Sequence, residues 1–119
     1  MLSNRSRNRG VIVLDKQHKN LALELQARNI RVVIIPKGTD DDTIKRSILP
    51  HRILVTDNFK RYKDDVSSFE YGLISTKIKD PIVLAKRISD EITKNKLWSL
   101  RQGFILKLHK KKTELEEVP

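Results

Sequence analysis

Short apolar runs that alternate with helix-like stretches constrain the fold of this chain more than any other feature. The segments Val11–Leu14, Ile30–Ile35 and Ile53–Thr56 are short and rich in β-branched side chains. Runs of this length suit strands that are buried on both faces, and β-branched residues favour extended backbone. The segments Tyr71–Ser75 and Gly103–Leu108 have the same character. The sequence therefore predicts five strands.

Helix-like stretches separate the first three predicted strands. Leu21 and Leu25 lie four residues apart within residues 19–28, which predicts a helix with one apolar face. The acidic residues 40–42 suit a helix N-terminus, so a second helix is predicted from there to about Leu49.

The second half of the chain contains the longest predicted helix. Residues 59–69 are polar, and we expect them to be irregular. The pair Asp80-Pro81 is typical of a helix start, because proline is well tolerated in the first turn. The apolar stripe of this helix consists of Leu84, Ile88 and Ile92.

The order β-α-β-α-β-β-α-β indicates an α/β fold. We expect a single three-layer domain with a mostly parallel central sheet and helices on both faces. Residues 11–108 form this domain in our interpretation. Residues 1–10 are interpreted as a flexible basic arm, and residues 109–119 as a charged tail or a short edge strand.

The charge balance favours a phosphate-rich partner. The 119 residues include 25 Lys and Arg against 15 Asp and Glu, which gives a net charge of +10. Such an excess attracts nucleic acid through Coulomb forces and counterion release. An acidic protein partner and a merely solvated basic surface are the alternatives. A homodimer is also left open.

The chain has no cysteine, which excludes disulfides, zinc–thiolate sites and cysteine nucleophiles. No apolar run approaches the roughly 20 residues that span a bilayer. We therefore expect a cytoplasmic protein without a membrane segment.

Acidic residues follow the predicted strands where a ligand site is expected. Ligands of open α/β sheets bind outside the carboxyl ends of the strands. Asp15 ends the first strand, Asp57 follows the third, and Asp41 lies in the loop after the second. If these loops converge, the carboxylates suit Mg²⁺ or Mn²⁺, which prefer oxygen ligands. A helix cap for Asp40 or Asp41 and a turn for Asp57 are the structural alternatives.

These segments together resemble the small PIN-like domains, in particular a compact subgroup long catalogued as of unknown function. The resemblance covers about residues 11–76 and rests on VIVLD, RVVIIP, DDDTI, ILVTDNF and YGLIS in that order. It implies an Mg²⁺- or Mn²⁺-dependent endoribonuclease, often a toxin that an antitoxin protein neutralises. The implied acids are Asp15, Asp41 and Asp57, and the implied metal-binding residues also include Asp42 and Asn58.

Two departures from the family pattern concern catalysis. Lys16 stands where the subgroup commonly has a second acid, and Asn58 stands where the third motif often has its acid. The alternative is a catalytically degenerate PIN-like module that binds RNA or an antitoxin-like protein.

A basic–aromatic cluster is the predicted RNA contact. Lys60, Arg61 and Lys63 surround Tyr62, which suggests phosphate contacts beside base stacking. Lys16, which follows Asp15, is a further predicted RNA-binding residue. Phe59 alone is expected to pack on the edge of the sheet instead.

Overall fold

The computed structural model describes residues 10–15, 19–99 and 103–118. The strands are β1 (Val11–Leu14), β2 (Arg31–Ile34), β3 (Ile53–Thr56), β4 (Gly72–Thr76), β5 (Phe104–Leu108) and β6 (Thr113–Glu117). The α-helices are α1 (Lys19–Gln26), α2 (Asp41–Thr43), α3 (Phe59–Tyr62) and α4 (Pro81–Asn95). A π-helical segment, Ile44–Ile48, continues α2, and 3₁₀ turns occupy Lys63–Asp65 and Leu97–Ser99.

All six strands form one sheet in the order β2-β1-β3-β4-β5-β6. The first five strands are mutually parallel, and β6 pairs with β5 in the antiparallel direction. The prediction of an α/β domain with a mostly parallel sheet is therefore confirmed. The charged tail supplies the edge strand that was one of its two interpretations.

Hydrophobic clusters cover both faces of the sheet, because successive side chains of a strand point to opposite sides. In β1, Ile12 and Leu14 belong to the cluster that contains Leu25 of α1 and Ile88 of α4. Val13 belongs to the second cluster, with residues of the π-helical segment and α3. Helices therefore pack on both faces of the sheet, as the predicted three-layer arrangement requires. Both β1 and β3 are buried along their whole length.

Two local predictions are corrected. The second helix does not run regularly to Leu49, because its α-helical part ends at Thr43 and a π-helical segment follows. Residues 59–69 are not irregular, because α3 and a 3₁₀ turn occupy their first part. No helix in the part of the chain that the structure describes has the length and apolar character to cross a membrane.

Candidate functional site

The strand order places a topological switch point between β1 and β3. The chain leaves β1 for β2 on one side and then crosses back to β3 on the other side of β1. The helices that follow the two strands diverge at such a point and leave a crevice at the carboxyl ends of the strands, where ligands of open α/β sheets bind. Residues that directly follow β1 and β3 are therefore the first candidates for function.

Asp15 and Asp57 lie at this same edge, as their sequence positions predicted. β1 and β3 are adjacent and parallel, and Leu14 is in register with Val55. The next residue of each strand is therefore a neighbour of the other, and Thr56 Oγ1 donates a hydrogen bond of 2.9 Å to the Asp15 carboxylate. The Thr56 hydroxyl also accepts the Asn58 backbone N–H at 3.0 Å. Thr56 thus connects Asp15 to the loop that carries Asp57.

Two lysines that follow β4 hold the Asp57 loop. Lys79 Nζ lies 3.0 Å from the Asp57 carboxylate. Lys77 Nζ donates a hydrogen bond of 2.9 Å to the backbone carbonyl of the same residue. Sequence reasoning missed both lysines, although their position directly after a parallel strand is the signal that identified Asp15 and Asp57.

Asp41 contacts an arginine of α3. Arg61 of α3 donates a hydrogen bond to the Asp41 carboxylate, and the two side chains form an ion pair. This hydrogen bond raises the pKa of Arg61 above its usual value, and the negative charges of Asp41 and Asp15 act in the same direction. Arg61 therefore lies within the electrostatic field of both acids.

The acids of this edge are held by separate cations instead of being gathered around one point. Asp41 pairs with Arg61, and Asp57 pairs with Lys79. Asp42 pairs with Arg46 one helical turn away. Within residues 10–15, 19–99 and 103–118, no three acidic or histidine side chains are close enough to hold one metal ion.

The other predicted residues near these acids differ in their positions. Asp40 is the N-cap of α2, and its carboxylate accepts the Thr43 N–H at 2.7 Å, so the capping alternative applies to Asp40 and not to Asp41. Asn58 is exposed at the start of α3. Lys16 lies outside the described residues.

The base-stacking prediction for Tyr62 is corrected. Its side chain is 2% exposed and packs in the second hydrophobic cluster, and the Tyr71 hydroxyl donates to its backbone carbonyl. Burial raises the pKa of the Tyr62 hydroxyl. Lys60, Arg61 and Lys63 remain exposed around it, so α3 presents cations to solvent but no free aromatic face at Tyr62.

Two lysines make cation–π contacts with the partly buried ring of Phe59. Lys107 Nζ of β5 lies 4.7 Å from the ring centroid, and Lys63 Nζ lies 5.7 Å from it. Cations over an aromatic face are held at a defined place. Lys107 therefore belongs to the basic surface around α3.

The site thus combines acids and cations at the end of the sheet, around the switch point. Its arrangement can bind a phosphate through Arg61 and the lysines, and it offers carboxylate oxygens to a hard cation. Comparisons of the chain with family models, with curated proteins and with solved structures found no match.

Proposed function

We propose that this protein is a metal-dependent ribonuclease-like enzyme whose site is the carboxyl edge of the sheet at β1 and β3. The observation that carries the proposal is the position of Asp15 and Asp57, which follow adjacent parallel strands at the switch point and are connected through Thr56. The resemblance to PIN-like domains implies the same acids and the same substrate class.

The donor atoms at this edge fit Mg²⁺ or Mn²⁺ in chemical type. Carboxylate and hydroxyl oxygens are hard ligands, and the residues that would hold the cation are Asp15 and Asp57, with Asp41 as the third acid. Bound there, such a cation would supply Lewis-acid chemistry for hydrolysis of a phosphodiester, in which water replaces the leaving oxygen at phosphorus. The ion pairs to Arg61 and Lys79 must rearrange when the acids bind it.

Arg61 and Lys79 have a direct role in the proposed enzyme. Each lies beside a carboxylate at the edge, where a phosphate oxygen of RNA can replace the carboxylate as its partner. The planar guanidinium of Arg61 suits two oxygens of one phosphate. These side chains therefore bind and orient the phosphodiester, and their charge stabilises the negative charge that develops on it during cleavage.

A second candidate function is an RNA-binding module without catalysis. The ion pairs Asp41–Arg61 and Asp57–Lys79 favour it, because they neutralise the acids without a metal ion. In that case the cations around α3 hold RNA, or they hold an acidic, antitoxin-like protein. Cleavage that depends on a metal ion separates this module from the enzyme.

The test compares wild-type protein with Asp15→Asn on a labelled single-stranded RNA, each with Mn²⁺ and with a chelator. Asn keeps the size of Asp but loses the charge that a hard cation requires, so we expect Asp15→Asn to lose most of the Mn²⁺-dependent cleavage. Asp90→Asn is the matched control, because Asp90 is an exposed acid and the tenth residue of α4, away from its N-terminal end.

The pattern of results distinguishes the candidates. The enzyme is supported if wild type and Asp90→Asn cleave the RNA with Mn²⁺ but not with the chelator, and Asp15→Asn cleaves it in neither. Equal cleavage in every sample indicates a contaminating nuclease and contradicts it. RNA binding without cleavage in any sample favours the module.

A further inference from the structure

A cavity of about 610 Å³ lies beside Asp57 at the same edge of the sheet. Its walls come from the segment between β4 and α4 and from the end of β5 with the turn that follows. Cavities of roughly 300–1,000 Å³ are the usual size for small-molecule sites. Of the residues that line it, the proposed cleavage site uses Lys79, and the other residues of the lining indicate which ligand fits the cavity.

The floor of the cavity is apolar. The floor consists of the apolar lining residues Ile78, Val83 and Leu108. Ile78 and Val83 expose aliphatic surface at a place otherwise rich in charge, and Leu108 is buried beside them. Val83, in the first turn of α4, is 47% exposed. Covering an exposed aliphatic surface with a flat, apolar group removes it from water, which lowers the free energy of the complex.

The rim of the cavity is basic. Lys77, Lys79 and Lys110 line it, and all three are exposed. Asp80, the acid of the lining, is the N-cap of α4 and accepts the N–H groups of Ile82 and Val83 at 2.9 and 3.3 Å. The rim therefore has a net positive charge, which favours an anionic ligand.

Two of these lysines join the cavity to the proposed cleavage site. Lys77 and Lys79 both line the cavity, and both contact Asp57, at 2.9 and 3.0 Å. A phosphate that they bind lies next to Asp57. A ligand that fills both the apolar floor and this position must carry a flat apolar group and a phosphate a short distance apart.

We propose that the cavity binds one nucleotide of a single-stranded RNA, with its base on the floor and its phosphate at Lys77 and Lys79. A base in a duplex is stacked and paired, so it cannot cover the floor, whereas an unpaired base can. The inference deepens the proposed function by naming the subsite and the single-stranded form of the substrate, and nucleotide binding is measurable whether or not RNA is cleaved.

The test follows 5′-AMP binding by NMR titration of the full chain. The expected result is a saturable change in the resonances of Ile78, Val83 and Leu108. Because the floor contributes only when a base is present, we expect inorganic phosphate to bind more weakly than 5′-AMP. Equal affinity for the two ligands contradicts a base on the floor, and tighter binding of a tetraglutamate peptide overturns the nucleotide in favour of an acidic protein segment.

Val83→Glu and Ile82→Glu form a matched pair of variants. Both place one carboxylate in the first turn of α4 at an exposed position, but only Val83 lines the cavity. A carboxylate at the floor repels the phosphate and removes apolar surface. We expect Val83→Glu to weaken 5′-AMP binding about tenfold, a change of about 1.4 kcal/mol, and Ile82→Glu to weaken it far less. Equal weakening by both variants refutes the cavity site.

Lys110→Glu and Lys111→Glu test the rim in the same way. Both lysines are exposed in the turn between β5 and β6, but Lys110 lines the cavity and Lys111 does not. Both substitutions change the net charge equally, so a larger loss of binding for Lys110→Glu locates the ligand. Binding of 5′-AMP without RNA cleavage retains the subsite and refutes the enzyme, while cleavage without nucleotide binding refutes the subsite alone.

Discussion

At the scale of single residues, Thr56 joins two parts of the candidate site, although the sequence did not single it out. It is fully buried, and its hydroxyl both donates to Asp15 and accepts from the Asn58 N–H. Thr76, the last residue of β4, accepts the Ile78 N–H at 3.1 Å in the same way. A threonine at the end of a strand thus shapes the following loop twice in this sheet, once beside an acid and once beside the cavity.

Replacing Thr56 with valine should destabilise the fold and loosen the site. The substitution leaves the Asn58 N–H without its acceptor and removes a hydrogen bond to a carboxylate, and we expect a loss of about 2 kcal/mol of unfolding free energy. Thr76→Val is the control, because it loses the equivalent turn bond without an acid. Urea unfolding of both variants measures the difference, and a cost for Thr56→Val no larger than that for Thr76→Val contradicts a contribution from Asp15.

The residues of the site differ in how far the sequence could predict them. The prediction that Asp15 and Asp57 lie at one edge of the sheet is correct, because the carboxyl ends of parallel strands meet at the same edge. The ion pair between Asp41 and Arg61 joins residues far apart in the chain, so local patterns carry no information on it. The burial of Tyr62 depends on the second cluster and on the Tyr71 hydroxyl, and a basic–aromatic motif gives no sign of either.

At the scale of elements, the π-helical segment shows how packing overrides helix periodicity. Ile44 and Leu49 are both buried in the second cluster, and the Leu49 N–H donates to the Ile44 carbonyl at 3.0 Å. Residues five apart in a regular α-helix differ by about 140° around the axis and cannot both face the sheet squarely. The wider π turn brings them to one side, which the sequence pattern of a short helix does not reveal.

The N-cap of α4 yields a prediction at this scale. Asp80 accepts two backbone N–H groups of the first turn, so Asp80→Ala should lower the unfolding free energy by about 1 kcal/mol. Because the substitution also removes a negative charge from the cavity rim, it should not weaken 5′-AMP binding. Thermal unfolding of Asp80→Ala and of the exposed control Asp90→Ala measures the first effect. Equal stability of the two variants argues against the cap.

At the scale of the whole molecule, the excess of positive charge should govern RNA affinity. The chain carries a net charge of +10, and Lys60 and Lys63 are exposed around α3. Binding to single strands should weaken steeply with salt, with a logarithmic slope of about −0.7 for each phosphate neutralised. Lys60→Gln and Lys63→Gln should each make this slope shallower by roughly that amount if each lysine contacts one phosphate.

Fluorescence titrations of a short single-stranded RNA at several salt concentrations measure the slopes. Lys94→Gln, at the far end of α4, removes the same charge away from the carboxyl edge and serves as the control. A slope that changes equally for all three variants shows that only the total charge matters and contradicts a defined contact surface at α3.

The overall architecture was predictable from the sequence and the strand order was not. Alternation of apolar runs with helices requires crossover connections, and these favour parallel strands. Nothing in the pattern decides whether β3 lies beside β1 or beyond β2, because that choice depends on which helix covers which face. The structure shows β3 beside β1, and this adjacency is what brings Asp15 into contact with Thr56.

The antiparallel pair of β5 and β6 has a consequence for the order of folding during synthesis. These strands are joined by a short turn, closed by a hydrogen bond of 2.9 Å from the His109 N–H to the Lys112 carbonyl, so they can form a hairpin within microseconds. The parallel pairs of β1 to β4 require slower closure of long loops. Until β5 has left the ribosome, the buried strand β4 has an open edge, and a nascent chain paused before Phe104 should be prone to chaperone capture.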